Sequence, residues 1–103
     1  MSDPVTVPLS KPITAHGEEV AALTLQPPTT RQIIELGLPT LIVTNAGGDV
    51  GLEVRTQVVA RYVSRLAAIP MSSVEALAPA DFSACTGAVM GFFGESGAVT
   101  PPS

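Results

Sequence analysis

The sequence predicts a small α+β domain, an N-terminal β-hairpin packed against about three α-helices, on three observations. Residues 5–26 alternate apolar and polar positions around a glycine turn. Residues about 50–69 carry an apolar stripe at helical spacing. Residues 79–93 form a proline-initiated apolar segment ending in two phenylalanines. At 103 residues the chain accommodates one domain with one modest core.

In the first element Val5, Val7 and Leu9 alternate with Thr6 and Pro8, and Val20, Leu23 and Leu25 supply the return strand. "AHGEE" (15–19) is the expected turn, because Gly17 tolerates positive φ. Pro8 and Pro12 lack an N–H, which makes the first strand an edge, and Pro27 and Pro28 stop the second. A first helix is expected over about 29–37: Thr29 and Gln32 have capping-box spacing, and Gly37 and Pro39 close it. Within "LIVTNAGGDVG" (41–51), "LIVT" fits a short strand or an apolar turn, and "NAGG" a loop.

The main helix is expected from about Asp49 or Val50 to Ile69. Leu52, Val59 and Leu66 recur every seven residues, Tyr62, Val63 and Ile69 widen the stripe, and Glu53, Gln57, Arg61, Ser64 and Arg65 oppose it. Arg55 falls at the stripe's edge, with a stem to pack and a charge to keep in water. After Pro70, Ser72 or Ser73 is positioned to cap a short turn through "VEAL" (74–77), and Pro79 suits the first position of the last helix. Gly87 and Gly91 each weaken that helix by roughly 1 kcal/mol relative to alanine, so it depends on packing. Residues 94–103, rich in Gly and Pro, read as a flexible tail.

Composition narrows the function. Apolar residues make up 46% of the chain and charged residues 14%, against about 25% charged in ordinary soluble domains. Mean hydropathy is +0.41. So much apolar surface on so short a chain points to a second chain, either another copy or an apolar client. A net charge of −4, with its four arginines and one lysine scattered along the sequence, argues against nucleic acid. No apolar run approaches the roughly 18–20 residues of a membrane span, and no charged segment leads into a secretory apolar region. The single cysteine, Cys85, excludes an internal disulfide and suits a reducing cytoplasm.

No catalytic, cofactor or metal constellation emerges. A hydrolytic centre needs a nucleophile, a base and a group that orients the base. The one histidine, His16, sits at the expected hairpin tip, where a solvent-exposed turn residue is the plain reading. Cys85, between Ala84 and Thr86, reads as a buried small hydrophobe. A structural zinc site needs four Cys or His ligands. Glu18 and Glu19 are adjacent on a strand and point to opposite faces. "NAGGDVG" (45–51) lacks the lysine and the glycine register of a phosphate-cradling loop. On the last helix, Ala84, Gly87, Ala88 and Gly91 form a strip where another helix approaches closely, within this chain or from a partner.

Two blocks carry a family resemblance. "KPITAHGEEVAALTLQPPTTRQI" (11–33) gives a hairpin around a Gly-Glu turn and then "LTL" and "PT" leading into a helix. "VARYVSRLAAIPMSSVEALAPADFSACTGAVMGFF" (59–93) gives an arginine-bearing helix, a proline break, "VEALAPAD" and a short helix ending in "GFF". Together they resemble the tail assembly chaperones of Mu-like and related tailed phages or prophages. "LPTLIVTNAGGDVGLE" (38–53) has no counterpart in that pattern.

The resemblance implies a non-enzymatic protein without cofactors that binds the tape measure protein, helps tail tube assembly in the host cytoplasm and is absent from the mature virion. The tail tube protein and self-association are further contacts to expect, with no nucleic acid and no membrane. In such families a −1 frameshift often yields a longer form; Gly91, Phe92 and Phe93 are encodable by GGT TTT TTC, which contains a slippery heptamer. The residues expected to bind the partner are Tyr62, Leu66, Met90, Phe92 and Phe93. The alternatives are a self-assembling structural tail protein, a small enzyme using Cys85, and a regulatory module that binds a host protein.

Overall fold

The computed structural model describes residues 3–44, 47–48 and 50–96. Strands β1 (Val5–Ala15) and β2 (Glu18–Leu25) form an antiparallel hairpin. Helix α1 (Thr30–Leu36) follows, then a second antiparallel hairpin of β3 (Thr40–Thr44) and β4 (Val50–Val54). Helices α2 (Thr56–Ala67), α3 (Met71–Glu75) and α4 (Pro79–Ser96) complete the chain. The architecture is α+β, with the N-terminal hairpin lying on the helices as expected.

The β1–β2 turn has two residues, His16 at φ 55° and Gly17 at φ 79°. Positive φ at both central positions matches the right-handed twist of the strands, and Ala15 pairs with Glu18 to close it. In β1 the register breaks between Pro8 and Ile13, so Leu9–Pro12 bulge out while only Ala21 separates their partners on β2. Two prolines in the strand favour that break, since neither donates to the ladder.

One face of this hairpin is the sheet half of the core: Val7, Ile13, Ala15, Leu23 and Leu25 are buried. Facing them are Val58, Val59, Tyr62, Val63 and Leu66 of α2 and Cys85, Val89 and Phe92 of α4. Cys85, Val89 and Phe92 lie four and three residues apart, one stripe of α4.

Four polar contacts fasten the hairpin along its length. The His16 ring meets the Ala68 carbonyl at 3.0 Å, and Ser73 Oγ donates to the Thr14 carbonyl at 2.7 Å. Asp81 accepts the Ser10 N–H at 2.9 and 3.1 Å and the Lys11 N–H at 3.2 Å. The Gln26 N–H donates to the Leu66 carbonyl at 3.1 Å. The bulge therefore presents N–H groups that the strand ladder leaves free, and α4 supplies the carboxylate that satisfies them.

Several boundaries differ from those the sequence suggests. The main helix begins at Thr56, not near Asp49 or Val50, because 50–54 pair with 40–44 as a strand. Leu52 and Glu53 thus belong to β4, and the seven-residue spacing from Leu52 to Val59 is a coincidence of two elements. Arg55 is the exposed N-cap of α2, its N–H donating to the Pro39 carbonyl at 2.8 Å.

At the other end of α2, Ala68 takes a left-handed conformation at φ 57°, ahead of Pro70. The short helix α3 has Pro70 as its N-cap, so Ser72 and Ser73, the alternatives expected for the cap, lie inside it, and the Ser73 hydroxyl donates to the Thr14 carbonyl instead. Helix α1 spans Thr30–Leu36 with the Thr29–Gln32 capping box formed in both directions. Helix α4 starts at Pro79 as expected and runs to Ser96, three residues past Phe93. The expected loop at Asn45 and Ala46, and the flexible tail beyond Ser96, lie outside the described residues.

Candidate functional site

The residues with reactive side chains do not converge. Cys85 is fully buried, and burial, with Asp81 nearby, pushes its thiol up to about 11. That leaves the thiolate, the reactive form, scarce at neutral pH. His16 is exposed and bonded to the Ala68 carbonyl. Asp81 is 4% exposed, and its carboxyl is held below the usual range, chiefly by the Ser10 N–H. Its three bonds to β1 fix it in a structural position. No group of three His, Cys, Asp or Glu side chains able to hold a metal occurs among the described residues.

The expected partner-binding residues divide into two sets. Tyr62, Leu66 and Phe92 are 0%, 3% and 3% exposed and belong to the core. Tyr62 donates its hydroxyl to the Gly37 carbonyl at 2.5 Å and packs edge-to-face on Phe93, ring centroids 5.2 Å apart. Burial raises its phenol above the ordinary value. In the isolated chain these three are packed inside the core. Met90 and Phe93 are half-buried on the flanks of α4 and remain accessible.

The small-residue strip is at the surface. Ala84, Gly87 and Gly91 are exposed, and a Cβ built on either glycine meets nothing within 4 Å. Ala88, the fourth member of the strip, is half-buried against the core, and among the described residues no helix packs against the other three.

Apart from Val5 of β1, 37% exposed, the large apolar side chains most exposed among the described residues lie around α1, β4 and the start of α3. Ile34 is 78% exposed, Leu38 53%, Val54 46% and Met71 39%. Three shallow grooves over the outer face of α2 share lining residues. The first runs past Val54, Arg55 and Arg61, the second past Ala60, Arg61, Met71 and Glu75, and the third past Leu36, Arg61, Arg65 and Met71. Arg61 lies at all three.

All four arginines of the chain meet on this side. Glu35 bridges two of them, to Arg65 at 3.0 Å and Arg31 at 3.4 Å, and the arginines hold its carboxyl below the usual range. Arg55 and Arg61 have no carboxylate partner among the described residues. Sequence reading left this face unidentified because the arginines are spread over 35 positions, from Arg31 to Arg65. Only the packing of α1 on α2 and the placement of β4 bring them together.

These features define a small α+β domain whose described residues show grooves and exposed apolar side chains but no gathered reactive groups. The chain belongs to the phage tail assembly chaperones: the family model described as phage tail assembly chaperone proteins, E, or 41 or 14, matches residues 6–94. Neither the curated proteins nor the solved structures yield a match.

Proposed function

We propose that this chain is a non-enzymatic chaperone that binds the tape measure protein of its phage until the tail tube protein assembles around it. The family match over residues 6–94 carries the proposal. A chain with 14% charged residues and a cluster of large exposed apolar side chains suits a protein that shields apolar helices of a client from aggregation. Among the described residues no helix is long and apolar enough to cross a membrane. The proposed place of action is the host cytoplasm, with the chain absent from the finished virion.

Co-expression tests the reading. With the chain present, the tape measure protein of the same phage stays in the supernatant after centrifugation; without it, that protein sediments. Equal sedimentation in both cases would refute the proposal. Mass spectrometry of purified virions separates a chaperone from a structural tail protein, since stoichiometric incorporation fits only the latter. The longer frameshifted form is proposed on the Gly91-Phe92-Phe93 codons, and codons that interrupt the T run remove it.

A further inference from the structure

We propose that the neighbouring grooves over α2 form the client-docking surface and receive an amphipathic helix whose carboxylates reach Arg61 and Arg55; this rests on the chaperone reading above. The outer face of α2 is the floor, Leu36 of α1 forms one wall, and Met71 and Glu75 of α3 form the other. From Thr56 to Arg65 the floor runs roughly 14 Å at 1.5 Å per residue, the length of about two and a half helical turns. That geometry suits the helix-in-groove mode of recognition, in which apolar side chains three and four residues apart supply the anchors.

Charge selects the occupant. The chain carries a net −4, yet this face gathers every arginine, and the two without carboxylate partners stand in the groove itself. Glu53 and Glu75 also line it, one in each of two neighbouring grooves, and Glu35 offsets Arg65, so the positive field is local to Arg55 and Arg61 rather than continuous. A nucleic acid is disfavoured by those carboxylates and by the apolar Leu36, Ala60 and Met71 between the arginines. A second copy brings a further net −4, which opposes association through general repulsion. An acidic helix with an apolar face meets both the charges and the apolar walls.

Overlapping peptides tiled across the tape measure protein of the same phage are titrated against the intact chain by fluorescence anisotropy. Tight binding is expected for peptides that form acidic amphipathic helices, and it weakens as salt shortens the Debye length from ~30 Å at 0.01 M to ~3 Å at 1 M. Arg61→Glu and Met71→Lys, both surface changes, each lower the affinity at least about tenfold, because like charges or a buried ammonium replace favourable contacts. Changing the responsible peptide carboxylate to lysine restores binding to Arg61→Glu.

Glu19→Arg, at the hairpin tip, leaves affinity unchanged apart from a small general charge effect. If the wild-type chain binds peptides and Arg61→Glu and Met71→Lys bind equally well, the groove assignment is overturned while the chaperone reading stands. If the wild-type chain binds neither peptides nor whole tape measure protein, both fall together. Self-association that Arg61→Glu abolishes, seen by sedimentation in the absence of client, overturns the proposal in favour of a second copy.

Discussion

Replacing Gly87 and Gly91 by alanine should make this protein more stable. Both glycines are on the exposed side of α4, and a methyl group at either position meets open space. No steric term therefore opposes the helix-propensity gain, which is ~0.8–1.0 kcal/mol for each glycine replaced in an exposed helix interior. The two sites are neighbours one helical turn apart, so the simple sum of about 1.6–2 kcal/mol is the upper limit of the joint gain. With ~2.1 cal/mol/K per residue of unfolding entropy, a chain of this size gains roughly 4 °C in Tm for one substitution and up to about 9 °C for both.

Thermal unfolding followed by circular dichroism measures the shift, and urea titration checks that the midpoint rises while the slope stays constant. Gly17→Ala is the contrasting variant: its surroundings are equally open, but φ of +79° makes any Cβ unfavourable, so stability falls. An unchanged or lower Tm for the double variant refutes the reasoning, because it requires something to occupy the strip. A higher Tm combined with lost client binding locates a contact on α4 instead of over α2.

Three further outcomes follow from the core and its polar clasps. Tyr62→Phe removes only the hydroxyl bonded to the Gly37 carbonyl and should cost about 1 kcal/mol, whereas Tyr62→Ala also opens a cavity and should cost ~3–5 kcal/mol; urea midpoints distinguish the two. Asp81 has a folded pKa below its ordinary 3.8. Its stabilisation is thus complete above the unfolded value and lost as pH falls through the lower folded value. Asp81→Asn should be less stable than wild type near neutrality, and the gap should close as urea midpoints are followed below about pH 4. Cys85 should resist disulfide-exchange reagents at pH 8 in the native protein and react promptly in denaturant, since its thiol is buried and titrates near 11; rapid native labelling would contradict its placement.

The parts of the fold legible in the sequence are those fixed by local chemistry. Gly17, the Thr29–Gln32 pair, Pro27–Pro28 and Pro79 each act on their own few residues, and each falls where the structure uses it. The second hairpin was less legible because its pairing is decided across a loop. "LIVT" has strand character, but its partner 50–54 carries a leucine in phase with the helix that follows, so periodicity extends the helix backwards. The long-range pairing of 40–44 with 50–54 outweighs that phase, as tertiary context commonly does with local preference. Asp81 shows the same limit from the other side. "PAD" at a helix start reads as favourable dipole chemistry, and nothing local announces that a strand bulge about 70 residues earlier requires its carboxylate.

The site was the harder part for a related reason. Large apolar side chains are what both a core and a docking face are made of, and their order along a helix does not say which way the helix turns. Tyr62, Leu66 and Phe92 fall on the inward sides of α2 and α4 and are taken by the core, whereas Phe93, as apolar as Phe92, lies on the flank and stays half-buried. Among the described residues, what remains outside is the set the core could not absorb: Val5 at the start of β1, Ile34 on a two-turn helix without buried residues, Leu38 beyond it, Val54 at the end of β4, and Met71 at the start of α3. Each stands next to an element end, where the chain changes direction and cannot turn every apolar side chain inward. A docking face built from such leftovers acquires its specificity from charge. In this chain Arg55 and Arg61 line a groove with Val54, and Arg61 and Arg65 line one with Met71, so loss of client binding in Arg61→Glu at unchanged Tm separates recognition from stability more cleanly than any core substitution can.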